Sequence, residues 1–295
     1  MKMLKKIYIL FYSFFLTVYF FFRACISQQN LMRGNDKIVV SLTSYGWRYN
    51  FVFLTIESII SQTVKPCCIY LWIYKNENIS LLSKWLLQRQ VKRGLVIKYV
   101  DRDTRSYKKL SYILTHTDCN FECVVTADDD VFYPNTWISD FILHPYFGKA
   151  ILCNRGRVIT FNSDKNEPVS YRKWPLASHL DNCSNAILPT GVSGICYPLI
   201  SLDERISKFD DIEKNCPYAD DIWYKLITVS NGYNSIILES KINHYPPVIT
   251  SLAKGLEKIN VNEDLNSKQF INSLTYFNLN INSFKNIRKD TLWEL

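Results

Sequence analysis

The stretch VVTADDDVFYP, residues 124–134, is the part of the sequence that decides the fold. Its β-branched residues predict a buried strand that reaches the surface at three consecutive carboxylates. Adjacent carboxylates repel one another in a low-dielectric setting, so a fold keeps them together most readily around a cation. Such oxygen ligands favour magnesium, manganese or calcium, and a magnesium-type ion completes its shell with substrate phosphates. The stretch predicts a metal–diphosphate site; the alternative is an acidic turn solvated at a strand end.

The residues before this stretch alternate between strand and helix patterns. Strands are predicted at 37–45, 68–74 and 95–100, with helices at 51–62 and 81–91 between them. Strands separated by helices of about ten residues imply right-handed βαβ units and a parallel sheet. Ligands of such sheets bind at the carboxyl ends of the strands, which is where this order puts Ser41 to Tyr45 and Asp128 to Asp130.

The residues after Pro134 are less regular and contain two further motifs. LPTGVSGICYP, residues 188–198, places two glycines three apart in a strand context, where a backbone can approach a ligand or form a bulge. YADDIWYK, residues 218–225, puts two carboxylates at the start of a predicted helix, where acids are helix caps or catalytic groups. We expect residues 37–134 to form a nucleotide-binding half, 135–250 an acceptor-binding half and 251–295 a helical tail.

Composition narrows the class of protein. The chain has 295 residues, 47% of them hydrophobic, which is enough for a substantial core. Its 35 basic and 27 acidic residues give a net charge of +8, which suits a phosphorylated ligand, nucleic acid or an anionic membrane. Nucleic acid is not expected, because no dense Arg/Lys block or RNA-binding aromatic motif is present. Nine cysteines without a C-x-x-C pair indicate reduced thiols in a cytosolic compartment.

The N-terminus carries an apolar run. Residues 7–22 are uninterruptedly apolar and aromatic, slightly short of the roughly 20 residues that cross a bilayer. The run is a short anchor, an interfacial helix, a helix docked on the domain or a signal peptide, and Arg23 directly after it disfavours the last. We predict a membrane-associated segment at 1–26, a polar linker at 27–36, and a domain on the cytoplasmic face of the inner membrane, anchored or peripheral.

Five motifs together resemble one family. VSLTSY (40–45), SYKKL (106–110), ADDDVFYP (127–134), LPTGVSGICYP (188–198) and YADDIWYK (218–225) are similar to motifs of bacterial GT-A glycosyltransferases, the family-2-like enzymes of surface polysaccharide synthesis. The resemblance covers about residues 37–247. It implies an α/β, Rossmann-like GT-A fold with a mostly parallel central sheet flanked by helices. It also implies a nucleotide-diphosphate sugar donor, a glycan or lipid-linked glycan acceptor, and a divalent cation, Mn²⁺ or Mg²⁺, held by a D-x-D motif.

The resemblance also implies roles for single residues. Asp128 would face the donor ribose and share the metal with Asp130 and His244, while Asp129 orients a neighbour or the sugar. Asp221, or else Asp220, would be the general base. The remaining donor-binding positions would be Thr43, Ser44 and Tyr45 at the nucleoside pocket, Lys109 at the phosphates, and Gly191 and Gly194 at the donor sugar and the acceptor approach.

One departure from the family leaves the nucleotide open. The second strand ends in Tyr74-Lys75-Asn76-Glu77, without the acidic sequence that commonly reads the uracil ribose. A carboxylate base opposite the leaving group predicts a single in-line displacement with inversion. The alternatives are a HAD-like phosphohydrolase, whose motif usually opens the fold whereas here strands precede it, and a non-catalytic glycan or nucleotide-sugar binding protein.

Overall fold

A computed structural model describes residues 2–31, 34–117, 120–162, 167–178, 183–238, 245–250 and 264–284. The α-helices of this part of the chain are α1 (Lys2–Ile26), α2 (Val52–Ile60), α3 (Leu81–Val91), α4 (Lys108–Ser111), α5 (Trp137–Ile142), α6 (Phe209–Asn215), α7 (Asp220–Ser230) and α8 (Leu265–Phe277). The strands are β1 (Ile38–Thr43), β2 (Ile69–Tyr74), β3 (Leu95–Val100), β4 (Cys123–Ala127), β5 (Ile151–Cys153), β6 (Gly156–Val158), β7 (Ile187–Pro189), β8 (Ile195–Pro198) and β9 (Ser235–Ile237).

Seven strands form the central sheet, in the order β3-β2-β1-β4-β8-β5-β9. Six of them run in one direction, and β8 is antiparallel to both of its neighbours, β4 and β5. Strands β6 and β7 form a separate antiparallel pair. The predicted fold class is confirmed: the chain is α/β, with a mostly parallel central sheet flanked by helices and an apolar N-terminal helix.

Both faces of the sheet are buried. In β1, Val40 packs in the apolar cluster that includes α2, and its neighbour Val39 packs in the cluster that includes α7. Successive side chains of a strand point to opposite faces, so a strand covered on both sides needs a continuous apolar run. This requirement explains why β1 and the first residues of β4 are almost entirely apolar.

The register of β1 against β4 positions the candidate site. These parallel strands pair Leu42 with Ala127. The residues beyond this pair, Thr43 and Ser44 on one side and Asp128 to Asp130 on the other, therefore emerge at the same edge of the sheet.

Helix α1 is longer than the predicted apolar run and has two different parts. Its C-terminal part packs on the domain: Phe20 stacks on Phe132 with ring centroids 5.1 Å apart, and Ala24 is fully buried. Below it, the buried Glu57 accepts a hydrogen bond from Arg93 Nη1 at 3.0 Å and lies 3.9 Å from Arg23 Nε. Residues 7–19 of α1 are largely exposed. Within the described ranges, the 20 residues Ile7–Ile26 are the one helical stretch with the length and apolar composition of a membrane span.

Helix α7 is fixed from three sides, which matters because the predicted base lies at its start. Tyr224 Oη donates to Tyr107 O at 2.8 Å, and Lys225 Nζ donates to Ser235 Oγ in β9 at 2.9 Å. On the outer side, Trp223 meets Phe277 of α8 with ring centroids 4.8 Å apart. The first residues of α7 therefore have a defined position relative to the sheet.

Candidate functional site

Three carboxylates, Asp128, Asp129 and Asp130, form an acid triplet directly after β4. Asp128 Oδ1 accepts from Lys109 Nζ at 2.8 Å. Asp129 is buried and accepts from the Ser44 hydroxyl. Asp130 turns the other way, towards Arg48. The triplet therefore meets a cation at each end, which is how the fold keeps three adjacent acids together.

Arg48 is a site residue that the sequence analysis missed. It lies in the 3-10 turn Gly46–Asn50 after β1, and its Nη2 is 2.7 Å from Asp129 Oδ1 while it also pairs with Asp130. Its guanidinium stands over the Tyr45 ring, 5.1 Å from the centroid. The available signal was a lone basic residue in the loop after β1, because that loop opens at the same sheet edge as the triplet.

Two further carboxylates, Asp220 and Asp221, form an acid pair in the first turn of α7. Asp221 Oδ2 accepts a hydrogen bond from the Gly191 backbone N–H at 2.8 Å. Asp220 Oδ2 lies 3.7 Å from Nζ of Lys109, the same ammonium group that binds Asp128. Lys109 thus stands between the acid triplet and the acid pair. The structure brings together residues that are more than 90 positions apart in the sequence.

Burial and repulsion by neighbouring carboxylates raise the pKa values of Asp129, Asp130 and Asp221. Burial raises the pKa of Asp129 to about 6, although Arg48 opposes the shift. Burial and the neighbouring charge of Asp128 raise the pKa of Asp130. Burial and the charge of Asp220 raise the pKa of Asp221 to about 7, with Lys109 opposing. The site therefore holds more negative charge than its cations neutralise, and Asp221 changes protonation near neutral pH.

For Lys109, the charges of neighbouring groups affect the pKa more than burial does. Burial alone would lower its pKa, but the charges of Asp128, Asp220 and Asp221 outweigh burial and raise the pKa well above its usual value. The ammonium group stays charged at every physiological pH. It therefore offers a fixed positive charge between the two acid groups.

The other predicted donor-binding residues have varied surroundings. The Thr43 hydroxyl donates to Trp72 O at 2.9 Å within the sheet, so it has a partner in the fold. A Cβ on Gly191 would lie 3.2 Å from Asp221 Oδ1, so a side chain there would crowd the acid pair. Gly194 has φ +92°, and the Trp137 ring fills the space where its side chain would stand. The structure thus places Gly194 in close packing against Trp137. His244 lies outside the described residues.

A divalent cation fits the donor chemistry of the acid triplet. Among the described residues, no three His, Cys, Asp or Glu side chains are grouped as a ready metal site. Asp128 and Asp130 nevertheless supply hard carboxylate oxygens whose mutual repulsion a cation would relieve. Mg²⁺ and Mn²⁺ accept such incomplete protein shells, because water and substrate phosphates supply the remaining ligands.

Comparisons with known proteins give similarity of structure only. No protein-family model matches the chain, and no curated protein is significantly similar to it in sequence. A mannosyltransferase from Pyrobaculum calidifontis, solved with GDP-mannose and Mn²⁺, aligns at 11% identity and TM-score 0.42 over 78% of this chain and 64% of its own. The chain therefore spans less than two thirds of that enzyme.

Two further solved structures give similar values. Residues 1–349 of S. aureus TarS align at 15% identity and TM-score 0.46, over 82% of this chain and 72% of that one. The 4-diphosphocytidyl-2C-methyl-D-erythritol synthase of Anaerococcus prevotii aligns at 14% identity and TM-score 0.43, over 82% of this chain and 98% of its own. Similarity at this level carries no weight for function, which has to be argued from the site itself.

Proposed function

We propose that this protein is a metal-dependent, inverting glycosyltransferase. It moves a hexose from a nucleotide-diphosphate donor to a hydroxyl of a glycan or lipid-linked glycan in bacterial surface polysaccharide synthesis. The observation that carries the proposal is the position of Lys109, whose Nζ lies 2.8 Å from Asp128 and 3.7 Å from Asp220. One group of acids suited to a cation thus faces a second group suited to proton transfer, at the carboxyl edge of a parallel sheet.

The acid triplet and its two cations bind and orient the donor. Asp128 and Asp130 would hold Mn²⁺ or Mg²⁺, which when bound neutralises charge on the diphosphate. Arg48 and Lys109 place positive charge beside the same edge, where negative charge develops as the nucleoside diphosphate leaves. Ser44 and Tyr45 lie next to Asp129 and Arg48, at the predicted border of the nucleoside pocket.

The acid pair handles the proton of the acceptor hydroxyl. That proton must leave as the oxygen attacks the anomeric carbon, and a carboxylate is an effective base when its pKa is close to the operating pH. Burial and Asp220 raise the pKa of Asp221 to about 7, which meets this condition. The hydrogen bond from Gly191 holds one of its oxygens, and the base therefore has a fixed orientation. Attack from the Asp221 side, opposite the diphosphate, inverts the anomeric centre.

The location that we propose is the cytoplasmic face of the inner membrane, with α1 as the anchor. The apolar stretch Ile7–Ile26 supports membrane attachment by its length and composition. The eight cysteines in the described part of the chain are free thiols, as expected in a reducing compartment. A soluble nucleotide-sugar donor would reach the site from the cytosol.

Ligand-dependent melting of the full chain in detergent micelles tests this function. Nucleoside diphosphates and nucleotide sugars are screened with and without MnCl₂, because a ligand that binds only the folded state raises the melting temperature. We expect one nucleotide to stabilise the protein in the presence of Mn²⁺, and Asp130→Asn to remove that dependence on metal. No stabilisation by any nucleotide would contradict the proposal, and release of phosphate from phosphomonoesters would support the phosphohydrolase instead.

A further inference from the structure

An apolar cleft of about 350 Å³ lies between α1, α2 and the start of α3, away from the acids. Its apolar lining comes from Val18, Phe21 and Phe22 on α1, Phe51 and Leu54 at α2, and Leu82 on α3. Nearly all of the surface that these walls offer is carbon. The cleft therefore suits a ligand that contributes apolar surface and no charge.

The polar groups at the rim are bonded to one another. Asn50 Oδ1 accepts from the Ser80 backbone N–H at 2.8 Å, and Asn50 O accepts from the Ser83 hydroxyl at 2.9 Å. The hydroxyls of Ser80 and Ser83 lie 2.8 Å apart, and the Thr17 hydroxyl donates to Ser13 O within α1. Because these groups already have partners, an occupant can fill the cleft without making a hydrogen bond. A hydrocarbon chain meets that condition.

The cleft is continuous with two exposed apolar surfaces. One is the face of α1 in the candidate membrane span, where Phe22 is exposed. The other is the first turn of α3, where Leu81 is 84%, Leu82 53% and Trp85 50% exposed. Neighbouring apolar side chains that remain uncovered on a folded domain mark a contact surface. Here they border the helix that would enter a bilayer.

The charge of α3 identifies the partner as a membrane surface. The helix has no acidic residue, and it carries Lys84 and Arg89. The Arg89 guanidinium stands 5.5 Å from the centroid of the Trp85 ring, and its Nε donates to Ala24 O at 3.1 Å, which fixes α3 to α1. Tryptophan beside basic side chains suits the headgroup boundary, where the ring meets hydrocarbon and the cation meets phosphate.

We propose that this cleft binds one acyl chain of a bilayer lipid and thereby holds the start of α3 at the membrane surface. The chain enters between Phe22 and Leu82 and rests on Phe51. The proposal does not depend on the transferase chemistry, because it uses none of the acids or cations of the candidate site. It depends on α1 meeting a bilayer.

Photolabelling of the full chain in phosphatidylcholine/phosphatidylglycerol nanodiscs tests the proposal. The nanodiscs contain a phosphatidylcholine with a diazirine in its acyl chain, and the labelled residues are mapped by mass spectrometry. Labelling of residues 7–16 reports only that α1 lies in lipid. We expect labelling of Phe51 as well, because this residue belongs to the domain and an acyl chain reaches it through the cleft.

Two variants close the cleft in different ways. Val18→Trp fills it, and Leu82→Lys places a charge at its mouth; both should abolish the label on Phe51 and keep the label on residues 7–16. Phe15→Trp is the matched control, because Phe15 is exposed on α1 and does not line the cleft. An unchanged melting temperature shows that each variant is folded.

Three results would overturn the proposal. The first is an unlabelled Phe51 beside labelled α1, and the second is a label on Phe51 that both variants leave unchanged. The third is a Phe51 that becomes labelled only when dimers are dissociated, because a second copy of the chain would then be the occupant.

Discussion

The acid triplet after β4 and the acid pair at the start of α7 both consist of aspartates, but the charged and polar groups around them differ. In the triplet, Asp129 and Asp130 both contact the guanidinium of Arg48. In the pair, Asp221 accepts a backbone N–H and has no cation of its own, since the nearby Lys109 binds Asp128 most closely. The difference separates two tasks: acids that share cations are suited to bind positive charge, and a buried acid with a raised pKa is suited to move a proton.

The largest expected effect comes from removing the proposed base. Asp221→Asn should lower kcat by about 10³-fold, because general-base catalysis contributes on this scale, and should leave donor affinity unchanged. Single-turnover kinetics and a donor titration separate the two quantities. Asp220→Asn is the matched variant and should retain more activity. If Asp220→Asn is inactive while Asp221→Asn is active, the base is Asp220.

The next effect concerns the counter-ion of the triplet. Arg48→Met should lower the free energy of unfolding by ~3 kcal/mol at pH 8, because it leaves Asp129 and Asp130 without their partner. The loss should be smaller at pH 5, because burial raises the pKa of Asp129 to about 6 and the protonated acid needs no counter-ion. Urea unfolding at the two pH values measures this difference. Arg102→Met, which removes an exposed ion pair with Asp210, is the control and should cost little. An equal loss at both pH values would contradict the electrostatic explanation.

The pH dependence of the rate tests the acid pair without a mutation. Burial and Asp220 raise the pKa of Asp221 to about 7, and a base acts only when it is deprotonated. We therefore expect kcat/KM to rise about tenfold between pH 6 and pH 8, with the apparent pKa belonging to the coupled pair. A rate that is flat over this range would remove Asp221 from the proton transfer.

Deprotonation of Asp221 should raise the rate but lower the stability of the folded protein. The folded protein keeps the Asp221 proton up to about pH 7, whereas an unfolded aspartic acid releases it near its ordinary pKa of 3.8. The folded state thus binds more protons between these values, so the free energy of unfolding falls as the pH rises through this window. Asp221→Asn should reduce that fall, and melting curves from pH 4 to 8 measure it.

The smallest expected effect comes from removing Lys109, which lies between the acid triplet and the acid pair. Lys109→Met should move the apparent pKa of the rate upward by roughly 1 unit, because Asp221 would lose a positive charge that favours its ionised form. The pH–rate profile of the variant measures the shift. Lys92→Met, at the exposed residue directly after α3, is the control and should leave the profile unchanged. A downward shift would mean that Lys109 does not act on Asp221 through its charge.

The sequence was sufficient for the fold class and for the meeting of the ends of β1 and β4. The apolar residues of β1, interrupted by Ser41, and those of the strand before Asp128 predict a buried parallel sheet, and in such a sheet the ends of neighbouring strands meet. Ser44 and Asp129 therefore come close for a reason that local patterns already contain. Asp221 begins a helix, and only the family resemblance implied that it belongs to the same site. The proposed catalytic roles of these residues stay predictions.

Other features depend on contacts that a sequence pattern does not contain. The pairing of Arg48 with Asp130 depends on the conformation of the loop after β1. No periodic sequence pattern predicts that conformation. The acceptor approach is the predicted place of Gly194, and the structure adds a neighbour that no local pattern contains, the Trp137 ring of a different element. The helix α1 continues past the apolar run, and there Arg23 lies 3.9 Å from the buried Glu57, 34 positions away. The sequence therefore did not predict the long-range partners of single polar residues.

The docked end of α1 has a consequence for the order in which the protein is made. Phe20 precedes Phe132 by 112 positions, yet the two rings stack on each other, and Ala24 is buried in the same apolar cluster. The core that Phe132 belongs to is therefore incomplete until α1 has docked on it. During synthesis α1 must therefore stay accessible until the domain folds. Insertion of its first turns into lipid would hold its C-terminal part close to the folding domain.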